Sequence, residues 1–197
     1  MKFFGFFKQK EYNYTIPDSF TNYQGIWATE EPRSFEAQGI RLFLWGKVYM
    51  LQSEDGYENI DNSDLQRIHT MYLAEGYNML NKLDGDYTLV FKSPTKIDIA
   101  RDFKGTGTQI YYNHELFTNS LQTFALIAKE NMNPDLEALS FFLKYGFVPP
   151  AKSGVKNLKR IPAGYCLKAQ EGSFSLENFN KPSKSYEFTN GNGSTQH

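Results

Sequence analysis

The order of the segments along the chain predicts an α+β fold built mostly from antiparallel sheet. Strand-like segments come first, followed by a helix, two hairpins, two helices and a last hairpin. Aromatic residues make up 16% of the 197 residues, with 17 Phe and 13 Tyr. Such residues favour thick packed sheets over a helical bundle. A chain of this length is enough for one domain with a substantial core.

The first half of the chain predicts two strand regions and a helix. The short apolar run at 3–7 is a buried strand, and the segments 41–44 and 47–51 form a hairpin that turns at Trp45-Gly46, where glycine can take a positive φ. Ser63-Asp64 starts a capping-box pattern, so a helix follows it. The apolar residues at near-helical spacing in this helix are Leu65, Ile68, Tyr72, Met79 and Leu83.

Three hairpins and two helices complete the predicted domain. The hairpins pair 86–91 with 96–101 at the centre of a sheet, 110–112 with 116–118, and 165–169 with 174–176. One helix passes through Leu121, Phe124 and Ile127. The other has Asn133 as its N-cap, Pro134 at its first position, an apolar stripe of Leu136, Leu139, Phe142 and Leu143, and Gly146 as its end.

The carboxyl-terminal 17 residues form a separate segment. From Lys181 to His197 there is no Ile, Leu or Val, so this stretch cannot bury enough apolar surface to fold and is predicted to be a disordered tail. The domain itself is therefore assigned to residues 1–180.

Composition excludes several classes of function. With 21 basic and 22 acidic residues the net charge is −1, so non-specific nucleic-acid binding is not expected. The single cysteine, Cys166, forms no internal disulfide, and with three histidines it predicts neither a metal site nor a cofactor. No apolar stretch approaches the ~20 residues of a membrane helix, and a soluble, cytoplasmic protein is expected.

Several segments, in order and at similar spacing over about residues 40 to 178, resemble the glutaminase domain of asparagine synthetases. They are Leu83–Phe91, Ile99-Ala100-Arg101-Asp102 with Gly105, Ile110–Tyr112, Leu136–Leu139 with Tyr145–Pro149, and Ile161–Tyr165. This resemblance implies a class II glutamine amidotransferase domain. Its fold would be the αββα four-layer sandwich of N-terminal-nucleophile hydrolases, with two mostly antiparallel sheets.

The resemblance also implies that the catalytic groups are missing. Working members carry a cysteine directly after the initiator methionine, and here Lys2 stands at that degenerate nucleophile position. The asparagine amide that stabilises the oxyanion is replaced in Trp45-Gly46, where only the Gly46 backbone N–H is kept. Trp45 either plugs the old glutamine pocket or offers an aromatic face to a new ligand. Cys166 lies in the wrong hairpin, so no catalytic residue is assigned.

Ligand-binding residues of the family are only partly retained. No arginine stands where the family holds the glutamine carboxylate, because Arg33 and Arg41 are too close to the hairpin. Asp64 matches the ligand for the glutamine α-amine, although a carboxylate in the first turn of a helix is favoured by the helix dipole in any case. The vestigial substrate pocket would thus comprise Asp64, Gly46 and Trp45.

Two other motifs have structural interpretations. Arg101 and Asp102 are expected to form a buried, architectural ion pair. The Gly105–Thr108 loop lacks the Gly-Lys-Ser/Thr ending of a phosphate loop, so it is not assigned to phosphate binding.

The leading functional hypothesis is an inactive glutaminase-like domain. It would act as a binding or scaffold partner of a separately encoded, ATP-pyrophosphatase-type enzyme that forms amides, as in asparagine synthetases or in peptide-modifying relatives such as lasso-peptide cyclases. A second hypothesis is a sensor of a small amino acid or amine in the remodelled pocket. A third is an active glutamine amidotransferase of asparagine synthesis.

Overall fold

A computed structural model describes residues 1–7, 14–53, 56–60, 64–128 and 132–179. The helices in these ranges are α1 Leu65–Glu75, a 3-10 helix Gly76–Lys82, α2 Leu121–Ala128 and α3 Leu136–Tyr145. The strands are β1 Phe3–Phe6, β2 Thr21–Tyr23, β3 Ile26–Ala28, β4 Arg33–Ala37, β5 Ile40–Ser53, β6 Gly56–Asn59, β7 Leu83–Lys92, β8 Lys96–Arg101, β9 Tyr111–Tyr112, β10 Leu116–Thr118, β11 Lys159–Arg160, β12 Tyr165–Gln170 and β13 Ser173–Asn178. The predicted tail 181–197 lies outside the described residues.

The strands form two sheets in which every described pairing is antiparallel. The six-stranded sheet has the order β11-β9-β10-β1-β3-β2. The seven-stranded sheet has the order β13-β12-β8-β7-β5-β4, and β6 also pairs with β5. The predicted hairpins β7–β8, β9–β10 and β12–β13 are confirmed, and β7 and β8 lie at the centre of their sheet as expected.

The two sheets pack face to face between helices. Phe3, Ile26 and Phe117 of the six-stranded sheet share one core cluster with Phe43 and Ile99 of the seven-stranded sheet. The α1 and 3-10 helices cover the outer face of the seven-stranded sheet, and α2 covers the outer face of the six-stranded sheet. These contacts define four layers in the order α, β, β, α. The predicted α+β sandwich is therefore confirmed.

The hairpin predicted at Trp45-Gly46 is wrong. Strand β5 continues through these residues and pairs with β7 on both sides of them. Gly46 has φ +84°, and a Cβ there would lie 2.0 Å from the carbonyl oxygen of Asp86. The glycine is thus needed for the close approach of β7 rather than for a turn. The chain instead reverses at Gly39, between the paired strands β4 and β5.

The first helix differs from its prediction at both ends. Ser63 lies outside the described residues, and the Asp64 side chain makes no capping hydrogen bond to α1. The α-helical part ends at Gly76, which has a positive φ, and a 3-10 helix continues the segment to Lys82.

The N-cap predicted for α3 is also wrong. The cap is Asp135, whose carboxylate accepts hydrogen bonds from the backbone N–H groups of Glu137 at 3.0 Å and Ala138 at 3.1 Å. Asn133 and Pro134 precede the helix, and Pro134 instead forms a bridge with Val155. The predicted end at Gly146 is confirmed by its left-handed conformation, φ 78°.

In the part of the chain that the structure describes, no helix has the length and apolar character needed to cross a bilayer.

Candidate vestigial glutamine site

Lys2 begins the pairing between β1 and β3. Its backbone N–H donates to Thr29 Oγ1 at 3.0 Å, and its carbonyl accepts from the backbone N–H of Thr29 at 2.9 Å. Phe3 points between the sheets and Phe4 points toward α2, so alternation along the strand places Lys2 on the α2 side. Consistent with this, Lys2 lines a cavity of about 370 Å³ together with Thr123 and Leu126 of α2.

Trp45 lies on the other side of the six-stranded sheet, in the core between the two sheets. Its ring stacks on Phe3 with 3.9 Å between centroids and 18° between planes, and Phe43 stacks at 5.9 Å. The side chain is 4% exposed, and its indole N–H has no hydrogen-bond partner among the described residues. Lys2 and Trp45 are therefore not brought together in one pocket.

Gly46 is contacted by a residue that the sequence interpretation had excluded. The guanidinium of Arg33 donates a hydrogen bond to the carbonyl oxygen of Gly46. The pairing of β4 with β5 explains this contact, because Arg33 lies opposite Leu44 in the ladder. An exclusion based on distance along the chain did not account for this cross-strand proximity.

Polar side chains from three segments meet beside Gly46. Tyr49 of β5 donates to Asp86 Oδ2 at 2.8 Å, and the hydroxyl of Thr106 donates to the other oxygen of Asp86. These two hydrogen bonds, that from Thr106 first, hold the pKa of Asp86 below its usual value. Lys104 Nζ contacts Asp84 Oδ1 at 2.7 Å, and this bond raises the pKa of Lys104. The feature of the sequence that indicates this group is the i, i+2 spacing of Asp84 and Asp86, which puts both side chains on the same face of one strand.

Asp64 lies at the start of α1. It immediately precedes Leu65, which packs in the core on the outer face of the seven-stranded sheet. Trp45 packs on the inner face of the same sheet. Trp45 and Gly46 are adjacent on β5, and Asp64 precedes the helix that covers the other face of the same sheet.

Arg101 and Asp102 are both buried, and each binds loop backbone. Arg101 donates to the carbonyl oxygens of Gly105 at 2.6 Å and Ile161 at 3.2 Å. Asp102 accepts from the backbone N–H groups of Thr106 at 3.1 Å and Gly107 at 2.8 Å. Among the described ion pairs none joins the two, so the architectural role is observed without the expected direct pair. The Asp102 carboxylate occupies the amide nest that a phosphate loop would offer to its ligand.

Cys166 is buried in β12 and cannot act as a nucleophile in this conformation. Burial, and then the nearby negative charge of Asp98, raises the pKa of its thiol well above the ordinary value. The hydroxyl groups of Tyr72 and Tyr77 both donate to Asp98, the latter at 2.6 Å, and Lys96 Nζ lies 2.8 Å from the same carboxylate. The buried Asp98 carboxylate is thus paired with the positive charge of Lys96 and accepts two tyrosine hydrogen bonds. Among the described residues there is no group of three or more His, Cys, Asp and Glu that could hold a metal ion.

The layer order and the strand pairings define a two-sheet sandwich with helices on both outer faces. Residues 39–180, well over half of the chain, match the glutamine amidotransferase domain, and the chain belongs to this family. The match includes Trp45, Gly46 and Asp64, whereas Lys2 lies outside it.

Two solved structures are similar at low identity. The glutamine phosphoribosylpyrophosphate amidotransferase from B. subtilis, complexed with ADP and GMP, is 13% identical, with a TM-score of 0.47, and the match covers 78% of this chain and 34% of that chain. The allosteric regulatory enzyme of purine biosynthesis is 14% identical, also with a TM-score of 0.47, over 76% of this chain and 31% of that chain. The present chain spans about a third of the length of these proteins.

Sequence similarity also extends to transcriptional regulators. The HTH-type transcriptional regulator MntR of Geobacillus thermodenitrificans (strain NG80-2) is 26% identical over 102 residues, covering 52% of this chain and 70% of that protein. The protein of the same name from Bacillus subtilis (strain 168) is 24% identical over 102 residues, with the same coverage. Identities at this level do not show membership of that family.

Proposed function

We propose that this glutamine amidotransferase domain does not hydrolyse glutamine and acts by binding an ATP-dependent amide-forming enzyme similar to asparagine synthetases. The observation that carries the proposal is the stack of Trp45 on Phe3. The family resemblance puts the side-chain amide that stabilises the oxyanion at the position of Trp45. Here a buried indole ring fills that position. Loss of one such donor lowers kcat by about a hundred- to a thousandfold in other acyl-transfer enzymes.

The nucleophile position supports the same conclusion. Lys2 supplies no thiol, its backbone N–H is engaged with Thr29, and it lies on the opposite side of the sheet from Trp45. Cys166, which is the single cysteine of the chain, is a buried thiol with a raised pKa. Loss of the nucleophile alone costs on the order of a millionfold in a serine protease, so the two losses leave no measurable glutaminase activity.

The retained framework around this site supports the proposed binding role. The two sheets, the Asp102 nest and the central β7–β8 hairpin are complete, and they belong to a family that transfers glutamine nitrogen. An amide-forming partner of the ATP-pyrophosphatase type, encoded separately, is the enzyme that such a domain would serve. We place both proteins in the cytoplasm, where the unpaired thiol of Cys166 is stable.

The first experiment measures ammonia release from glutamine by the purified protein. We expect no release above the buffer control, and the same result for Asp64→Ala. Hydrolysis that is present in the unaltered protein and absent in Asp64→Ala would contradict the proposal. Titration of tryptophan fluorescence with glutamine and other amino acids is run in parallel, and a saturable response would favour the sensor hypothesis instead.

The second experiment tests the partner. The domain is mixed with a candidate amide-forming enzyme that carries the Ser-Gly-Gly-x-Asp-Ser loop, and ATP–pyrophosphate exchange by that enzyme is measured. We expect the two proteins to co-elute and the exchange rate to change. If the domain binds no such enzyme from the same organism, the proposed partner is wrong. The proposed lack of glutamine hydrolysis would be unaffected by that result.

A further inference from the structure

A cavity of about 380 Å³ lies near the β13 edge of the seven-stranded sheet. Its size is within the range of small-molecule sites, which is about 300–1,000 Å³. None of the described residues that line it is acidic, and most of them carry hydrogen-bond donors. The polar lining residues are Tyr77, Lys96, Lys168, Gln170, Ser173 and Ser175.

The strand register places these polar side chains on one surface. Lys96 of β8 lies opposite Gln170 of β12, which lies opposite Ser173 of β13. Two residues along β12, Lys168 lies opposite Ser175. Side chains that are directly opposite in a ladder, or two apart on one strand, project from the same face of a sheet. The three strands therefore form a platform of lysine, amide and hydroxyl groups.

The ring of Tyr77, which comes from the 3-10 helix, holds the two lysines of this platform together. Lys168 Nζ lies 3.8 Å from the ring centroid, and Lys96 Nζ lies 5.2 Å from it. Lys96 also donates to the Tyr77 hydroxyl at 2.8 Å, and that hydroxyl donates to the buried Asp98 at 2.6 Å. Two positive charges that share one ring repel each other, so an anion that contacts both is favoured.

The charge of Lys168 is available to such an anion. Lys96 is paired with the buried carboxylate of Asp98 at 2.8 Å, whereas Lys168 is paired with Glu177, whose side chain is 52% exposed. A solvent-exposed ion pair contributes little to stability, so a ligand can replace Glu177 at low cost. The side chains of Ser173 and Ser175 make no hydrogen bond to another described residue, and their hydroxyl groups can donate as well.

We propose that this cavity binds a phosphate group, which is held by Lys168 and Lys96 and by the hydroxyl groups of Ser173 and Ser175. A phosphate dianion offers several acceptor oxygens in different directions, and lysine binds it as a point charge. Phe174 also lines the cavity and offers an apolar contact to an organic group on the phosphate. The site lies on a different part of the sheet from Gly46, so the inference is independent of whether the domain hydrolyses glutamine.

The test is isothermal titration calorimetry of the full chain with phenyl phosphate, inorganic phosphate and phenol. We expect phenyl phosphate to bind and phenol not to bind. Tighter binding of phenyl phosphate than of inorganic phosphate identifies an organic phosphate as the ligand, and equal binding identifies free phosphate. Absence of binding by both phosphates overturns the proposal, as does binding of phenol with the affinity of phenyl phosphate.

Matched substitutions locate the site. Lys168→Met should weaken phosphate binding about tenfold or more, because a charge-assisted hydrogen bond is lost. Glu177→Gln should strengthen it severalfold, because the carboxylate no longer competes for Lys168. Lys144→Met is the control, since Lys144 also lies over a tyrosine ring, at 4.9 Å, but does not line the cavity. Circular dichroism confirms that the variants fold. Binding that survives Lys168→Met, or that Lys144→Met weakens equally, overturns the proposal.

Discussion

The ring of Phe3 lies flat on the indole of Trp45, with 3.9 Å between centroids. One residue comes from the six-stranded sheet and the other from the seven-stranded sheet, so the stack joins the two layers at the centre of the sandwich. Both side chains are almost completely buried. The position where the family resemblance expects a polar catalytic amide is therefore part of the hydrophobic core.

Truncation of Trp45 should destabilise the protein strongly. Trp45→Ala removes a ring that is 4% exposed and leaves a cavity between the sheets, so we expect a loss of about 3–5 kcal/mol in the free energy of unfolding. Urea denaturation measures this loss. The control is Trp27→Ala, since Trp27 is only partly buried and stacks on Phe4 at 5.4 Å. An equal or larger loss for the control would contradict the assignment of Trp45 to the central core.

Substitution at Gly46 should be more costly than at Gly39, although both glycines have positive φ. A Cβ at Gly46 meets the Asp86 carbonyl oxygen, whereas a Cβ at Gly39 meets nothing within 4 Å. We expect Gly39→Ala to cost about 1–2 kcal/mol from its left-handed conformation alone. Gly46→Ala should cost more than about 3 kcal/mol, because overpacking adds to that strain. Similar denaturation midpoints for the two variants would show that β5 and β7 separate easily.

Cys166 should become reactive only when the protein opens. Burial raises the pKa of its thiol, so a disulfide reagent should modify the native protein slowly and the urea-unfolded protein at once. Ser140→Cys, on the exposed face of α3, is the control that should react immediately in the native state. Fast modification of native Cys166 would contradict its burial.

The same thiol makes stability fall at alkaline pH. The folded-state pKa is raised, so the stabilisation is fully present below the unfolded value of about 8.5 and is lost as pH rises above it. Cys166→Ala should reduce the decrease in unfolding free energy between pH 7 and about 9.5, below the ordinary tyrosine pKa of ~10. An unchanged pH dependence in Cys166→Ala would assign the decrease to other groups.

The N-cap of α3 should be Asp135 and not Asn133. Asp135→Ala removes the hydrogen bonds to Ala138 and Glu137 and should cost about 0.5–2 kcal/mol of helix stability. Faster hydrogen exchange of the α3 amides measures this loss. Asn133→Ala is the matched control and should leave the exchange unchanged, because the Asn133 contact to Lys156 is made by its backbone carbonyl.

Lowering the pH should weaken the N-cap of α3 in the same way as the Asp135→Ala substitution. The bonds from the Ala138 N–H and then Lys152 hold the pKa of Asp135 below its usual value. The capping contribution is therefore present above pH ~3.9 and is lost as pH falls through the lowered folded value. The protection factors of the α3 amides, which are corrected for the intrinsic pH dependence of exchange, should fall over that range in the unaltered protein and change less in Asp135→Ala.

Local patterns predicted the elements whose partners are close in sequence. The β7–β8 and β12–β13 hairpins were correct because alternation and turn residues lie within one short segment. The hairpin at Trp45-Gly46 was wrong because alternating apolar residues around a glycine fit both a turn and a kinked continuous strand. The contact of Arg33 with Gly46 was missed since it depends on the pairing of β4 with β5.

The sequence by itself determined the α+β class, the family resemblance and the absence of a cysteine at residue 2, since element order, motif spacing and residue identity can be read along the chain. Only the tertiary structure decided which faces are buried. Trp45 is covered because β1 brings Phe3 over it, Lys2 lies on the far side of the same sheet, and the leucines of α3 stay exposed. Burial depends on what packs against a surface, and the residues that pack are distant in the chain.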